Sequence, residues 1–361
     1  MNSTPRLFTP IRLRELELPN RLWVSPMCQY SAVDGKPQPW HLVHLGSFAV
    51  GRAGLVIAEA TAVSPEGRIS PADAGIWSDE QAELWRPVVD FVHGQDTRIA
   101  LQLAHAGRKA STRPPQRGRG YAPPEEGGWQ AVAPSPIAFG SLPTPRELSR
   151  DEIAGVVADF AAAARRALRA GFDAVEVHAA HGYLLHEFLS PLANHRADDY
   201  GGDFAGRTRL VLEVTRAVRE AIGASVPLLV RISATDWCEG GWDLDQSVAL
   251  APLLAEAGAD LIDVSSGGLL QEQKIHVGPG YQAPLARAVR AAGPLPVSTV
   301  GLITNALQAE SLLIDEAADV IMAGREFLRD SNFALRAAAE LGAPLEWPEQ
   351  YRMARFPGSI P

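Results

Sequence analysis

The chain has 361 residues, 46% hydrophobic and 21% charged, the composition of an ordinary globular protein. Its net charge of −9 argues against nucleic acid as a partner, because affinity for a phosphate backbone rests on Lys and Arg patches. No apolar run reaches the roughly 18 residues that would span a bilayer, so no membrane partner is expected.

In chain order, short apolar runs alternate with longer amphipathic segments. The first strand candidate is RLWVS, Arg21 to Ser25, followed by a helical segment from Trp40. GLVIAEATAV, Gly54 to Val63, is β-branched and reads as a strand; Ser78 and Gln81 then form a capping-box pattern that opens a helix. RIALQLAHAG, Arg98 to Gly107, is the third strand candidate. Residues 108–145 are rich in Gly, Pro and Arg without a period, which predicts a loop excursion over one face, part of it a short hairpin.

Ser149 and Glu152 give a second capping box, and apolar residues from Ile153 to Leu168 recur at helical spacing until Gly171 stops them. Strands are expected from Ala174, at Pro227–Ser233, Ala259–Gly268, Pro296–Gly301 and Ala318–Arg325. Helices are expected at Arg207–Ile222, Asp245–Ala257 and Gln282–Ala292, then one capped by Thr304 and a last one capped by Asp330 or Ser331. Eight strand–helix units predict an α/β protein, a single (β/α)8 TIM barrel spanning residues 1–361 with a C-terminal tail at 344–361. The rival open doubly wound sheet usually carries a G-x-G-x-x-G phosphate turn, and this chain has none.

The densest polar constellation follows the fourth apolar strand run: His178, His181 and Tyr183. Imidazole N–H groups can hold a developing oxyanion and a phenol can deliver a proton. A half-built metal site and two satisfied interior histidines are the competing readings. Barrel active sites lie at the C-terminal ends of the strands. Those ends carry Cys28 and Tyr30, Glu59 to Thr61, Gln102 and His105, Arg231, Ser265 and Ser266, Gly301, and Gly324 with Arg325. Glu59 is the lone carboxylate there and the His pair lacks an obvious third ligand, so no metal is expected. VGLIT and AGREF each set a glycine before a helix start after the last two strands, where barrels commonly bind phosphate, and Arg325 can add a bidentate fork. Gln102 suits the edge of a flavin pyrimidine ring, and Arg231 suits the flavin N1 and C2 carbonyl region. Cys28 and Cys238 are too few for a disulfide framework or an iron–sulfur cluster, and no signal-peptide core is visible at the N-terminus, so a cytoplasmic protein is expected.

Together, SPMCQYSA (Ser25 to Ala32), EATAV (Glu59 to Val63), QLAHAGRKA (Gln102 to Ala110), HAAHGYLLHEFLSPLANHR (His178 to Arg196), DDYGGDFAGRTRL (Asp198 to Leu210), DVSSGG (Asp263 to Gly268) and AGREFLRD (Ala323 to Asp330) resemble the old yellow enzyme family. Cys28–Gln29–Tyr30 and GIWSDE (Gly75 to Glu80) resemble its thermophilic-like branch of xenobiotic reductases and NADPH dehydrogenases. The resemblance runs from about Leu7 to about Leu341.

It implies a barrel holding FMN non-covalently through Ser25, Pro26, Met27, Cys28, Ala60, Gln102, Arg231, Ser265, Gly301, Gly324 and Arg325. It also implies a ping-pong ene-reductase: NADPH reduces FMN, then an enone or enal substrate takes the hydride. His178 and His181 would bind the substrate oxygen, Tyr183 would donate the proton, Tyr30 would be a second substrate contact, and Cys28 would tune the flavin. A redox sensor or reservoir without turnover is the alternative. The branch's tail often inserts an arginine into a neighbouring site. Here QYRMARFPGSIP matches at Gln350 and Tyr351 but displaces the arginine to Arg352 or Arg355. The expected assembly is a homodimer or homotetramer.

Overall fold

Apolar residues at every second position build a cylinder whose inner face changes character along its length. The computed structural model describes residues 4–356. A hairpin of β1 (Ile11–Leu13) and β2 (Leu16–Leu18) comes first, then β3 (Leu22–Val24), α1 (Pro39–Val50), β4 (Val56–Ala62), α2 (Asp79–His93) and β5 (Ile99–Ala104). The excursion carries β6 (Val132–Ala133) and β7 (Arg146–Glu147) before α3 (Arg150–Ala170). Then follow β8 (Ala174–Ala179), α4 (Leu184–Leu189), α5 (Phe204–Ile222), β9 (Leu228–Ser233), α6 (Leu244–Glu256), β10 (Leu261–Ser265), α7 (Ala283–Ala292) and β11 (Val297–Thr299). The series ends with α8 (Ala306–Ile314), β12 (Val320–Ala323), α9 (Arg325–Arg329) and α10 (Phe333–Leu341).

Strands β3, β4, β5, β8, β9, β10, β11 and β12 close into a parallel barrel, with β12 pairing back onto β3 through Ile321↔Leu22. This is the expected (β/α)8 TIM barrel. In its lower half the inward positions are apolar: Trp23, Ile57, Ala100, Ala174, Leu229, Leu261 and Met322 form one buried cluster. The β1–β2 hairpin stops that end with Leu13 and Leu18. Two residues further along the strands the inward side chains turn polar: Glu59, Gln102, Glu176, Arg231 and Asp263, all buried. A separate, larger core lies between strands and helices, with Phe160 and Trp85 fully buried in it.

The helix punctuation is largely local. Ser78 and Ser149 cap α2 and α3 through reciprocal boxes with Gln81 and Glu152, and Gly171 ends α3 at φ +100°. The last two caps fall elsewhere than expected. Asn305, not Thr304, accepts the Gln308 N–H, while the Thr304 N–H donates to the Gln308 side chain. Asn332 occupies the N-cap position of α10 without a side-chain capping bond, while Asp330 accepts the Asn332 N–H and is paired with Arg336. The excursion contains a minimal hairpin, with the Arg113 N–H donating to the Gly120 carbonyl at 2.9 Å and the Ala122 N–H to the Ser111 carbonyl at 2.8 Å. That hairpin is centred on the antiparallel bridge between Thr112 and Tyr121, whereas β6 and β7 run parallel, because residues 134–145 loop right round between them. Of the tail at 344–361, residues 357–361 lie outside the described residues. The rest docks by Trp347, which is buried, and by the Arg52 Nε–Glu346 carbonyl bond of 3.0 Å. Tyr351 and Met353 are exposed beyond it.

Candidate active site

Strand alternation carries His178 to the mouth of the barrel, two positions beyond Glu176 on β8. The chain then makes a left-handed turn, with φ +59° at His181 and +70° at Gly182. A non-glycine residue in that region costs roughly 1–3 kcal/mol and persists only where its surroundings enforce it. The turn brings the three predicted groups together. The His178 ring centroid lies 5.2 Å from that of His181 and 5.1 Å from that of Tyr183. Burial first, then the Arg231 charge, holds both imidazoles well below the ordinary histidine range, so they are neutral. His178 Nδ1 accepts the Ala180 N–H at 3.3 Å, which puts the ring proton on Nε2 as a donor. His181 Nε2 lies 2.7 Å from Ser265 Oγ. Burial pushes the Tyr183 phenol well above its usual range, so it keeps its proton.

The loop after β3 approaches from the other side. Ser25 is buried and donates its N–H to the Ala323 carbonyl of β12 at 3.0 Å; Pro26, Met27, Cys28 and Tyr30 are half-buried. Burial, with Asp73 and Glu59 nearby, pushes the Cys28 thiol up, and burial with Cys28 does the same to the Tyr30 phenol. Tyr30 is left-handed at φ +51°. The loop is anchored by Glu59, whose Oε2 accepts the Gln29 N–H at 2.8 Å and whose Oε1 lies 3.1 Å from His41 Nε2. Ala60, beside it on β4, is buried.

Beneath the mouth the polar layer is braced. Gln102 Nε2 donates to Glu176 Oε1 at 2.7 Å, which leaves the amide oxygen free to accept. Burial first, then Asp263, pushes the Glu176 carboxyl up to about 8. Arg231 Nε lies 3.0 Å from Asp263 Oδ2, and Ser298 Oγ holds the other Asp263 oxygen at 2.7 Å. The buried Arg231 guanidinium meets Asp263 through Nε, and its Nη groups donate no hydrogen bond to a described residue. A buried fork without acceptors points to an acceptor supplied by a ligand. Gly301, buried at φ +128°, and Gly324 line a recess with the exposed Arg325, which has no ion-pair partner among the described residues. An acceptor amide, an unspent guanidinium and a glycine-lined recess with a free arginine fit the pyrimidine edge and phosphate of FMN. Bound there, FMN supplies hydride chemistry that no protein side chain offers. Among the described residues, no group of three or more His, Cys, Asp or Glu is arranged to hold a metal ion.

Several groups here are not singled out by the sequence patterns above. Lys109, inside the stretch read as loop excursion, tucks inward. Its Nζ donates to the His181 and Gly268 carbonyls at 2.8 and 3.0 Å and lies 5.0 Å from the Tyr183 ring centroid. Burial brings its pKa down to about 8. Two buried imidazole–carboxylate pairs, His41–Glu59 and His186–Asp236, also went unread. Their partners meet only in space. The signal that could have found Lys109 is its place within the QLAHAGRKA motif.

A barrel whose mouth presents neutral imidazoles, a protonated phenol and a flavin-shaped donor set defines a flavin-dependent oxidoreductase. Residues 6–343 match the NADH:flavin oxidoreductase / NADH oxidase family. The NADPH dehydrogenase of Bacillus pumilus is 46% identical over 97% of this chain and 99% of its own length. The NADH:flavin oxidoreductase FG08077 of Gibberella zeae is 44% identical over 97% of this chain and 89% of its own length. Morphinone reductase superposes with a TM-score of 0.79 at 33% identity, covering 96% of this chain and 92% of that one. The chain belongs to the NADH:flavin oxidoreductase / NADH oxidase family and is an FMN-dependent enzyme of the old yellow enzyme type.

Proposed function

We propose that this enzyme is an NADPH-dependent ene-reductase, which reduces the C=C bond of α,β-unsaturated aldehydes, ketones and related activated alkenes. One observation carries the reading: two neutral imidazoles stand beside a phenol that keeps its proton, at the open end of a barrel otherwise braced for a flavin. The names of its relatives, NADPH dehydrogenase and morphinone reductase, support it.

In this reading Ser25, Pro26, Met27, Cys28, Ala60, Gln102, Arg231, Ser265, Gly301, Gly324 and Arg325 hold FMN, which, reduced by NADPH, supplies the hydride. His178 and His181 donate N–H bonds to the substrate oxygen and stabilise the negative charge that grows there. Tyr183 delivers its proton to Cα. Tyr30 packs against the substrate from the opposite loop, and the Cys28 thiol borders the flavin without ionising. Glu59 and Glu176 act behind them, the first holding the Cys28–Tyr30 loop, the second orienting Gln102. A cytoplasmic homodimer or homotetramer completes the proposal, its contact drawing on exposed Tyr351 and Met353 of the tail.

Replacing Tyr183 with Phe tests the core of it. Anaerobic stopped-flow should find flavin reduction by NADPH near normal and reoxidation by 2-cyclohexenone slowed by 10²-fold or so, the usual span of a lost general acid being about 10²–10⁴. Equal loss in both halves would refute the role.

A further inference from the structure

Two of the groups assigned above, His181 and Tyr183, ride on one turn. Gly182 at its centre cannot carry a side chain: a Cβ there would lie 2.3 Å from the Gly268 carbonyl oxygen. Three backbone groups of the turn are caught by three different elements. The His181 N–H donates to Ser233 Oγ at 2.9 Å, and the His181 carbonyl accepts from Lys109 at 2.8 Å. The Gly182 N–H donates to His186 Nδ1 at 2.8 Å.

His186 sits in the first turn of α4, fully buried. Its Nδ1 accepts a backbone N–H, so the ring proton is on Nε2, which lies 2.8 Å from Asp236 Oδ1. Asp236 comes from the loop after β9 and is itself fixed. Its Oδ2 accepts from Ser190 Oγ at 2.6 Å and from the Trp242 N–H at 2.7 Å. The pair therefore ties the loop after β8 to the loop after β9, and among the described residues it meets the turn through a hydrogen bond from the Gly182 N–H. A pair that served only to fill the core would have no need to face that N–H. An imidazole held in one tautomer by a carboxylate gives the turn an acceptor that cannot rotate away.

We propose that His186, oriented by Asp236, is a positioning residue for the reaction: its Nδ1 holds the left-handed turn that places both the His181 imidazole and the Tyr183 phenol. The proposal rests on the ene-reductase reading for its kinetic consequence, though not for its structural one.

The two ring nitrogens can be mimicked one at a time. His186→Asn keeps an acceptor near the position of Nδ1 and gives up the contact with Asp236. His186→Gln keeps a donor near the position of Nε2 and gives up the acceptor for Gly182. Both remove the ring, so a purely structural role predicts similar losses of stability and of both half-reactions.

On FMN-loaded enzyme we expect flavin content and NADPH-driven flavin reduction to be preserved in both variants. Reoxidation by 2-cyclohexenone should fall by roughly 10²-fold in His186→Gln, the scale of a misplacement near 1 Å, and much less in His186→Asn. Indistinguishable reoxidation rates in the two variants would overturn the proposal. Should His186→Gln fail to fold, Asp236→Asn replaces it: with its oxygen kept by Ser190 and the Trp242 N–H, its amide donates to Nε2, moves the ring proton to Nδ1 and takes the acceptor from Gly182, so a selective slowing of reoxidation is expected and an unchanged rate refutes the role. Crystal structures of the variants read the turn directly. Positive φ at His181 should be lost with Gln and kept with Asn, and the reverse or no difference would overturn the proposal. Because that readout needs no turnover, wild-type holoenzyme that is inert towards enones would remove the ene-reductase reading alone.

Discussion

Glu187 offers a sharp test of the electrostatics beneath the site. It is fully buried on α4, one Oε accepting the Arg108 N–H at 2.8 Å and the other without a partner. Burial, opposed by the Arg108 charge, pushes its carboxyl up to about 8 from an ordinary value of 4.5. Between those two values the folded protein binds a proton here that the unfolded chain has released. The stabilisation is therefore complete below about pH 4.5, declines as pH rises, and is gone above about pH 8. The slope is about 1.4 kcal/mol per pH unit, or about 3 kcal/mol between about pH 5.5 and about pH 7.5. Glu187→Gln has the same shape and can keep the Arg108 bond through its amide oxygen, but it has no proton to lose. Glu176 and Asp73, raised by burial to about 8 and about 7, add the same slope to both proteins and cancel in the comparison. Urea unfolding of each protein with saturating FMN at the two pH values gives the difference directly. The variant should gain about 3 kcal/mol on the wild type as pH rises over that range. Parallel behaviour, or a variant that loses ground with pH, would mean that Glu187 is ionised in the folded protein and that the reasoning is wrong.

Two further outcomes are expected. Arg325→Ala should weaken FMN binding by roughly 10–100-fold, the worth of a charge-assisted hydrogen bond to phosphate being about 1.5–3 kcal/mol; riboflavin, which lacks the phosphate, should bind both proteins alike in a fluorescence titration, and an equal loss for both ligands would place Arg325 elsewhere. Phe160→Ala, which empties a fully buried position on α3, should cost about 3–5 kcal/mol in urea unfolding, with flavin reduction by NADPH unchanged in the folded fraction.

Much of the barrel was legible because its strands and helices obey local rules. Capping boxes at Ser78 and Ser149 and the stop at Gly171 need only neighbouring residues, and the eight apolar runs need only composition and spacing. Thr304 was a near miss: it and Asn305 are both good cap residues, and the Gln308 side chain decides between them. The β1–β2 hairpin escaped because three-residue strands carry too little alternation to read. In the site, His178, His181 and Tyr183 sit within six residues, so their proximity was written in the chain. The partners that fix them are not. His186 meets Asp236 from 50 residues away, and Arg231 meets Asp263 across neighbouring strands. Such pairs follow from barrel register, which short sequence windows do not encode.

The Leu13–Leu18 hairpin at the foot of the barrel has a kinetic corollary. A vessel stoppered at its base leaves a visitor one doorway in and the same doorway out. On the function proposed above, hydride donor and hydride acceptor share that doorway and obstruct each other when in excess, and widening it changes which guests fit without disturbing the sealed floor.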